Sequence, residues 1–169
     1  AQDELITHLK RIGSNGLEIS ENYLELTREE RRREIDRFQK AGFEVVYEFG
    51  RKEPTGPLSL DYIGGIVKEM TELGASHIIL EQSELDMLAE ATPQEFLKLR
   101  DQKWYPHIVI EPDPYRFPKQ HVDLIEKFGP DVSLCNVSAE QVLKLEGFRR
   151  GIGRAVHFSF LSDALKQKH

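Results

Sequence analysis

Four glutamates recur along the chain at spacings of 30, 33 and 30 residues: Glu18, Glu48, Glu81 and Glu111. Each is expected at the carboxyl end of a short β-rich run, and Asn136 takes the corresponding place 25 residues after Glu111. Ligands of parallel α/β folds gather outside the carboxyl ends of the strands, so these five side chains are expected to converge on one mouth. Carboxylates gathered there repel one another unless a cation or shared protons compensate. Hard divalent metals take oxygen ligands, and Mg²⁺ commonly combines one or two carboxylates with water and substrate oxygens. The pattern is therefore consistent with a divalent cation bound at the mouth or with protons shared among the carboxylates. The competing reading turns some of these glutamates outward, toward Arg and Lys of the surrounding helices.

The elements that must position them repeat in a βα rhythm. The runs Gly16–Ser20, Phe43–Phe49, His77–Glu81, His107–Glu111 and Val132–Asn136 are mostly continuous in apolar residues, as parallel strands covered on both faces require. Helices are expected near 2–12, 27–40, 59–73, 93–102, 118–128 and 138–148. Three of them open on a hydroxyl followed three residues later by Glu or Gln: Thr27 with Glu30, Thr92 with Glu95 and Ser138 with Gln141. Gly13, Gly42, Gly74 and Gly129 stand where left-handed residues end helices. Ile63, Ile66, Val67, Met70 and Leu73 form one apolar helix face.

The 169 residues carry 29 Asp and Glu against 23 Lys and Arg, a net charge of −6, with 39% hydrophobic residues. One α/β domain over 1–169 with its own core is expected. The acidic balance argues against a nucleic-acid or anionic-membrane partner. No apolar run approaches the roughly 20 residues that span a bilayer, and the start Ala1-Gln2-Asp3-Glu4 lacks a signal-peptide layout, so a cytoplasmic location is expected. Cys135, the single cysteine, sits in an apolar run and is read as buried and inert. The six histidines show no zinc-type pair. The run from Arg28 to Arg37 mixes signs at helical spacing and reads as a salt-bridged outer face, and Trp104-Tyr105-Pro106 reads as packing. There is no Gly-x-Gly-x-x-Gly motif and no nucleophile elbow.

The runs Gly16 to Ser20, Ala41 to Lys52, Leu73 to Glu81, Ile110-Glu111, Phe128 to Asn136 and Leu145 to Gly151 resemble, in that order, the phosphosulfolactate synthase family. The resemblance implies a (β/α)8 barrel of TIM type, and a lyase that adds sulfite to phosphoenolpyruvate with Mg²⁺, the first committed step toward coenzyme M in methanogens. Related proteins associated with heat stress also belong to that family. A (β/α)8 barrel typically needs about 250 residues. This chain offers about five strands and opens in a helix, so it resembles the last units of a barrel that lacks its N-terminal strands. Upstream sequence, a partner chain or a homo-oligomer would complete it. The structural alternative is an open five-stranded sheet of flavodoxin type.

The resemblance also implies roles for single residues. Lys52 matches the second lysine of a Gly-Lys-Lys motif and takes a catalytic acid role beside Glu48, with Arg51 in place of the first lysine. Adding a nucleophile to an enol phosphate builds charge on the carboxylate side, and a proton must then reach the carbanion. An exposed loop lysine is the plain alternative. Glu81 and Glu111 match carboxylates taken as metal ligands, and Glu18 is assigned to substrate contact. Asn136 would orient a substrate carboxylate or else cap the helix at Ser138. Arg149 and Arg150 match an Arg-Arg-Gly phosphate site or else form a surface basic pair. Gln82-Ser83-Glu84-Leu85 replaces the family's Arg-Glu-Ser-Gly, and the segments after Glu111 and Gly151 also depart from it. These departures raise the alternatives of a relative acting on another small phosphorylated carboxylate and of a noncatalytic stress-related or protein-interaction member.

Overall fold

The computed structural model describes residues 2–21, 23, 26–51, 54–153 and 156. Lys52 lies outside the described residues. The chain divides into two compact units, Ala1–Ile108 and Val109–His169.

The first unit alternates helices and strands: α1 (Gln2–Arg11), β1 (Gly16–Ser20), α2 (Arg28–Lys40), β2 (Glu44–Phe49), α3 (Leu60–Glu72), β3 (His77–Glu81), α4 (Gln82–Ala91) and α5 (Pro93–Leu97). Short 3₁₀ turns follow at Lys98–Asp101 and Tyr105–His107. The strands of this unit are parallel and ordered as in the chain, β1-β2-β3, and β4 (Ile108–Glu111) begins at the unit's last residue. Flavodoxin-type sheets reverse their strand order at a switch point, so sequential order is the arrangement of a (β/α) barrel segment and not of that alternative.

Local chemistry sets the helix ends as expected at several places. Thr27 and Glu30 form a capping box, with the Thr27 N–H donating to Glu30 Oε2 at 2.8 Å. Gly13, Gly42, Gly74 and Gly129 have φ of 77°, 92°, 96° and 97°, the region that L side chains avoid and that stops a helix. The 28–37 run lies on α2 and is laced with ion pairs. One reaches inward: Arg31 grips Glu21 with two hydrogen bonds of 2.7 and 3.0 Å. Burial pushes the nearby Tyr47 phenol above its ordinary range, and Glu21 holds the Arg31 guanidinium firmly charged.

Register decides which face each strand residue serves. Tyr47 pairs with Ile19 and Ile78, and Phe49 with Leu80, so this set points to one side of the sheet. There α2 supplies Ile35 and Phe38, and α3 supplies Ile63, Ile66, Val67 and Met70, all buried. The core sits in this layer between sheet and helices. The opposite face carries Glu18, Val46, Glu48, Ile79 and Glu81, so the apolar runs are not covered alike on both sides.

In the second unit β4 continues to Glu111, followed by a 3₁₀ turn at Pro114–Arg116, α6 (Lys119–Phe128) and α7 (Ala139–Arg149). Val122, Leu124, Ile125 and Phe128 of α6 are buried, as are Leu145 and Phe148 of α7. His121 is completely buried, its ring 4.8 Å from that of Phe117, and neither ring nitrogen has a hydrogen-bond partner among the described residues.

Four expectations need correction. The fifth strand is reduced to a single parallel bridge, Ile110 to Leu134, because the segment turns away after two backbone bonds, Ile110 N to Ser133 O and Cys135 N to Ile110 O. Cys135 is half-buried, not buried. The expected helix at 93–102 is the short α5 plus a 3₁₀ turn. Thr92 does not cap it, because α4, which was not expected, runs into Thr92 and takes its hydroxyl onto the Leu88 carbonyl.

Two adjacent helical glycines provide a sign test of the packing. A Cβ on Gly64 would stand 2.5 Å from Nε1 of Trp104, whereas a Cβ on Gly65 meets nothing within 4 Å. Gly65→Ala is expected to stabilise by up to about 1 kcal/mol through helix propensity. Gly64→Ala is expected to destabilise by about 1–3 kcal/mol through overpacking. Chemical denaturation of both variants checks this, and stabilisation by Gly64→Ala contradicts the packing.

A second test concerns His121, whose pKa burial lowers below 6.5 against an opposing pull from Asp113. The unfolded chain then binds the proton more readily, so stability is full above pH 6.5 and falls as the pH drops below it. Denaturation midpoints across that range should decline in the wild-type protein and decline less in His121→Leu. Equal slopes would contradict the burial of a neutral imidazole.

Candidate functional site

The register of the first unit builds a polar diagonal. Glu18 pairs with Val46, Ser20 with Glu48, and Glu48 with Ile79, which stands two residues before Glu81. Paired residues of parallel strands and residues two apart share a face, so Glu18, Glu48 and Glu81 point to the same side, each one step further along the strands. Glu18 is therefore not at a strand end: it is the third of five residues in β1 and is exposed. Glu81 ends β3 and Glu48 stands one residue before the end of β2, and they are only 8% and 4% exposed.

Ligand-capable oxygens of these two carboxylates lie within 4.8 Å of each other. Two ionised carboxylates at that separation repel by about 3 kcal/mol even at an effective dielectric constant of about 20. A pair so placed is a hard-oxygen donor set that a divalent cation satisfies better than any neutral group. The start of α4 contributes in the same sense, because Glu81 immediately precedes its first turn, where helix amides and dipole favour negative charge.

Glu84, which the sequence reading passed over, belongs to this region. It is 5% exposed, and its Oε1 accepts the Arg51 N–H at 2.9 Å. Its other oxygen has no hydrogen-bond partner among the described residues, and burial raises its pKa against the opposing pull of Arg51. The available signal was helical spacing: Leu85 and Leu88, both buried, recur three apart directly after the strand.

In the second unit Glu111 ends β4 and is half-buried, and its Oε1 accepts a hydrogen bond from the Asn136 side-chain amide. Asn136 is exposed, has a left-handed φ of 52°, and orients that carboxylate; it does not cap α7. Gln141 Oε1 instead accepts the Ser138 N–H at 3.2 Å. The Arg149 guanidinium is committed to the carbonyls of Pro130 and Val132 and lies 3.4 Å from Glu146. Arg150 is exposed, 3.8 Å from the same glutamate. The structure thus brings together Glu48 with Glu81 and Glu111 with Asn136, while the Arg149 guanidinium is taken up by backbone carbonyls.

These features can be set beside known proteins. The sequence model of the family described as "(2R)-phospho-3-sulfolactate synthase (ComA)" matches residues 1–154. A phosphosulfolactate synthase of Methanocaldococcus jannaschii is 28% identical over 159 residues, which is 89% of this chain and 62% of that protein. One of Methanothermobacter thermautotrophicus is 31% identical over 159 residues, 89% of this chain and 60% of that protein. The chain therefore spans about three fifths of the length of these relatives. With a match running from α1 to beyond α7, the chain belongs to the (2R)-phospho-3-sulfolactate synthase family.

Proposed function

We propose that this chain carries the part of a phosphosulfolactate synthase-type active site that binds a small phosphorylated carboxylate with Mg²⁺ and adds sulfite to it. The observation that carries the reading is the buried pair Glu48 and Glu81 near the ends of adjacent parallel strands. Glu81 with Glu48 would hold the cation, and Glu111 is the further carboxylate that the resemblance assigns to it. Bound there, the cation supplies Lewis-acid stabilisation of charge developing on the substrate carboxylate.

The remaining steps belong to the chain's own groups. Sulfite sulfur forms a bond to the methylene carbon of phosphoenolpyruvate, and the π pair moves onto carbon 2 and its carboxylate. The Lys52 ammonium then gives its proton to carbon 2, and the phosphate ester stays intact. Arg51 supplies a neighbouring positive charge. The resemblance assigns Asn136 to the substrate carboxylate and Arg150 to its phosphate; the Arg149 guanidinium is occupied by backbone carbonyls. No helix among the described residues is long and apolar enough to cross a membrane.

Two measurements test this reading. At Mg²⁺ concentrations about a hundredfold above its dissociation constant, binding to the folded state alone should stabilise by about 2.7 kcal/mol, and Glu81→Gln should abolish the shift. An identical melting curve with and without millimolar Mg²⁺ and phosphoenolpyruvate contradicts the metal assignment. Sulfite-dependent consumption of phosphoenolpyruvate should fall by at least about a hundredfold in Lys52→Arg, because arginine stays protonated, while substrate affinity survives. Near-normal turnover in that variant reduces Lys52 to a charge-balancing role.

A further inference from the structure

The chain leaves β2 through Gly50 and Arg51, directly before Lys52. Three contacts from the β3–α4 junction hold this exit. Gly50 has φ of 124°, and a Cβ there would stand 2.8 Å from Cβ of Glu81 and 2.9 Å from Cγ of Glu84, so the backbone passes only because residue 50 has no side chain. The Arg51 N–H donates to Glu84 Oε1 at 2.9 Å. The Arg51 carbonyl accepts from Ser83 Oγ at 2.5 Å. Both peptide groups flanking one residue are thus tied to consecutive side chains in a single helical turn.

Glu84 makes its contact from a costly place. It is 5% exposed with one oxygen unpartnered among the described residues, where an apolar side chain of similar size would pack without the desolvation cost. What a carboxylate offers in return is a charge-assisted hydrogen bond to a backbone amide, roughly twice as strong as a neutral one. The bond falls on the residue that leads into Lys52.

We propose that Ser83 and Glu84 are positioning residues which, with Gly50, fix both peptide groups of Arg51, the residue that precedes Lys52 in the sequence. The purpose of this clamp rests on the reading of Lys52 as proton donor; its existence does not.

The experiment has two arms on the full chain. Amide hydrogen exchange at Arg51 is measured in the wild-type protein and in Glu84→Ala, Glu84→Gln and Ser83→Ala. Loss of one hydrogen bond is expected to speed exchange roughly tenfold in Glu84→Ala and measurably in Ser83→Ala, with Glu84→Gln, which keeps shape and acceptor but not the charge, between Glu84→Ala and the wild type. Unchanged exchange in Glu84→Ala overturns the clamp whatever the turnover. In the second arm, kcat for sulfite-dependent loss of phosphoenolpyruvate should fall roughly tenfold in Glu84→Ala with KM held, recover in part in Glu84→Gln, and show no further loss when Glu84→Ala is added to Lys52→Ala. Faster exchange with undiminished kcat overturns the positioning role. Undiminished turnover in Lys52→Ala, or a wild-type chain without turnover, counts against the Lys52 reading alone, and the exchange arm then decides the clamp.

Discussion

Holding two carboxylates within 4.8 Å of each other and almost out of reach of water is unfavourable, and the organisation around the ends of β2 and β3 is what sustains it for Glu48 and Glu81. The parallel ladder fixes Glu48 against Ile79, two residues from Glu81, so neither side chain can turn away without breaking the register. The ladder in turn is held by its other face, where Tyr47, Phe49, Ile78 and Leu80 are packed under α2 and α3. Burial of each such side chain contributes about 1.5–3 kcal/mol, and several of them outweigh the repulsion of one carboxylate pair. The polar face is therefore strained by a core that lies on the opposite side of the same strands.

The same junction also shapes the loop beyond β2. α4 begins with no connecting residue after β3, so its first turn lies beside Glu81 and offers helix amides to negative charge. That abrupt start also brings Ser83 and Glu84 onto the Arg51 peptide. One short segment thus serves the carboxylate pair and the neighbouring loop together. The departure from the Arg-Glu-Ser-Gly pattern that the resemblance implies falls on this segment, with a buried Gln82 in the arginine's place.

Features written in short-range chemistry were legible in the sequence. The Thr27 capping box, the four helix-stopping glycines and the strands β1 to β4 depend on neighbours within a few residues, and each stands within a residue of where the pattern placed it. Spacing alone carried Glu81 and Glu111 to the ends of their strands and Glu48 to within one residue of its own. Glu18 failed because a strand's end is set by its partner: β1 runs on to Ser20 to match Glu48. α4 was hidden because it follows a strand without Gly, Pro or a hydroxyl cap, and its continuation made Thr92 a terminator where the capping pattern suggested a start. The roles of Arg149 and Asn136 were not legible, since their partners Val132 and Glu111 lie 17 and 25 residues away.

The central claim is that Glu48 and Glu81 form one cation-binding pair. Mn²⁺ substitutes for Mg²⁺ at oxygen-donor sites and enhances the relaxation of water protons when bound, so a titration followed by relaxation reports occupancy without any need for turnover. The account predicts one saturable site in the wild-type chain, lost in both Glu48→Gln and Glu81→Gln, with both variants more stable than the wild type when metal is removed. Equal Mn²⁺ binding in the wild type and the two variants, or no saturable binding at all, would contradict it.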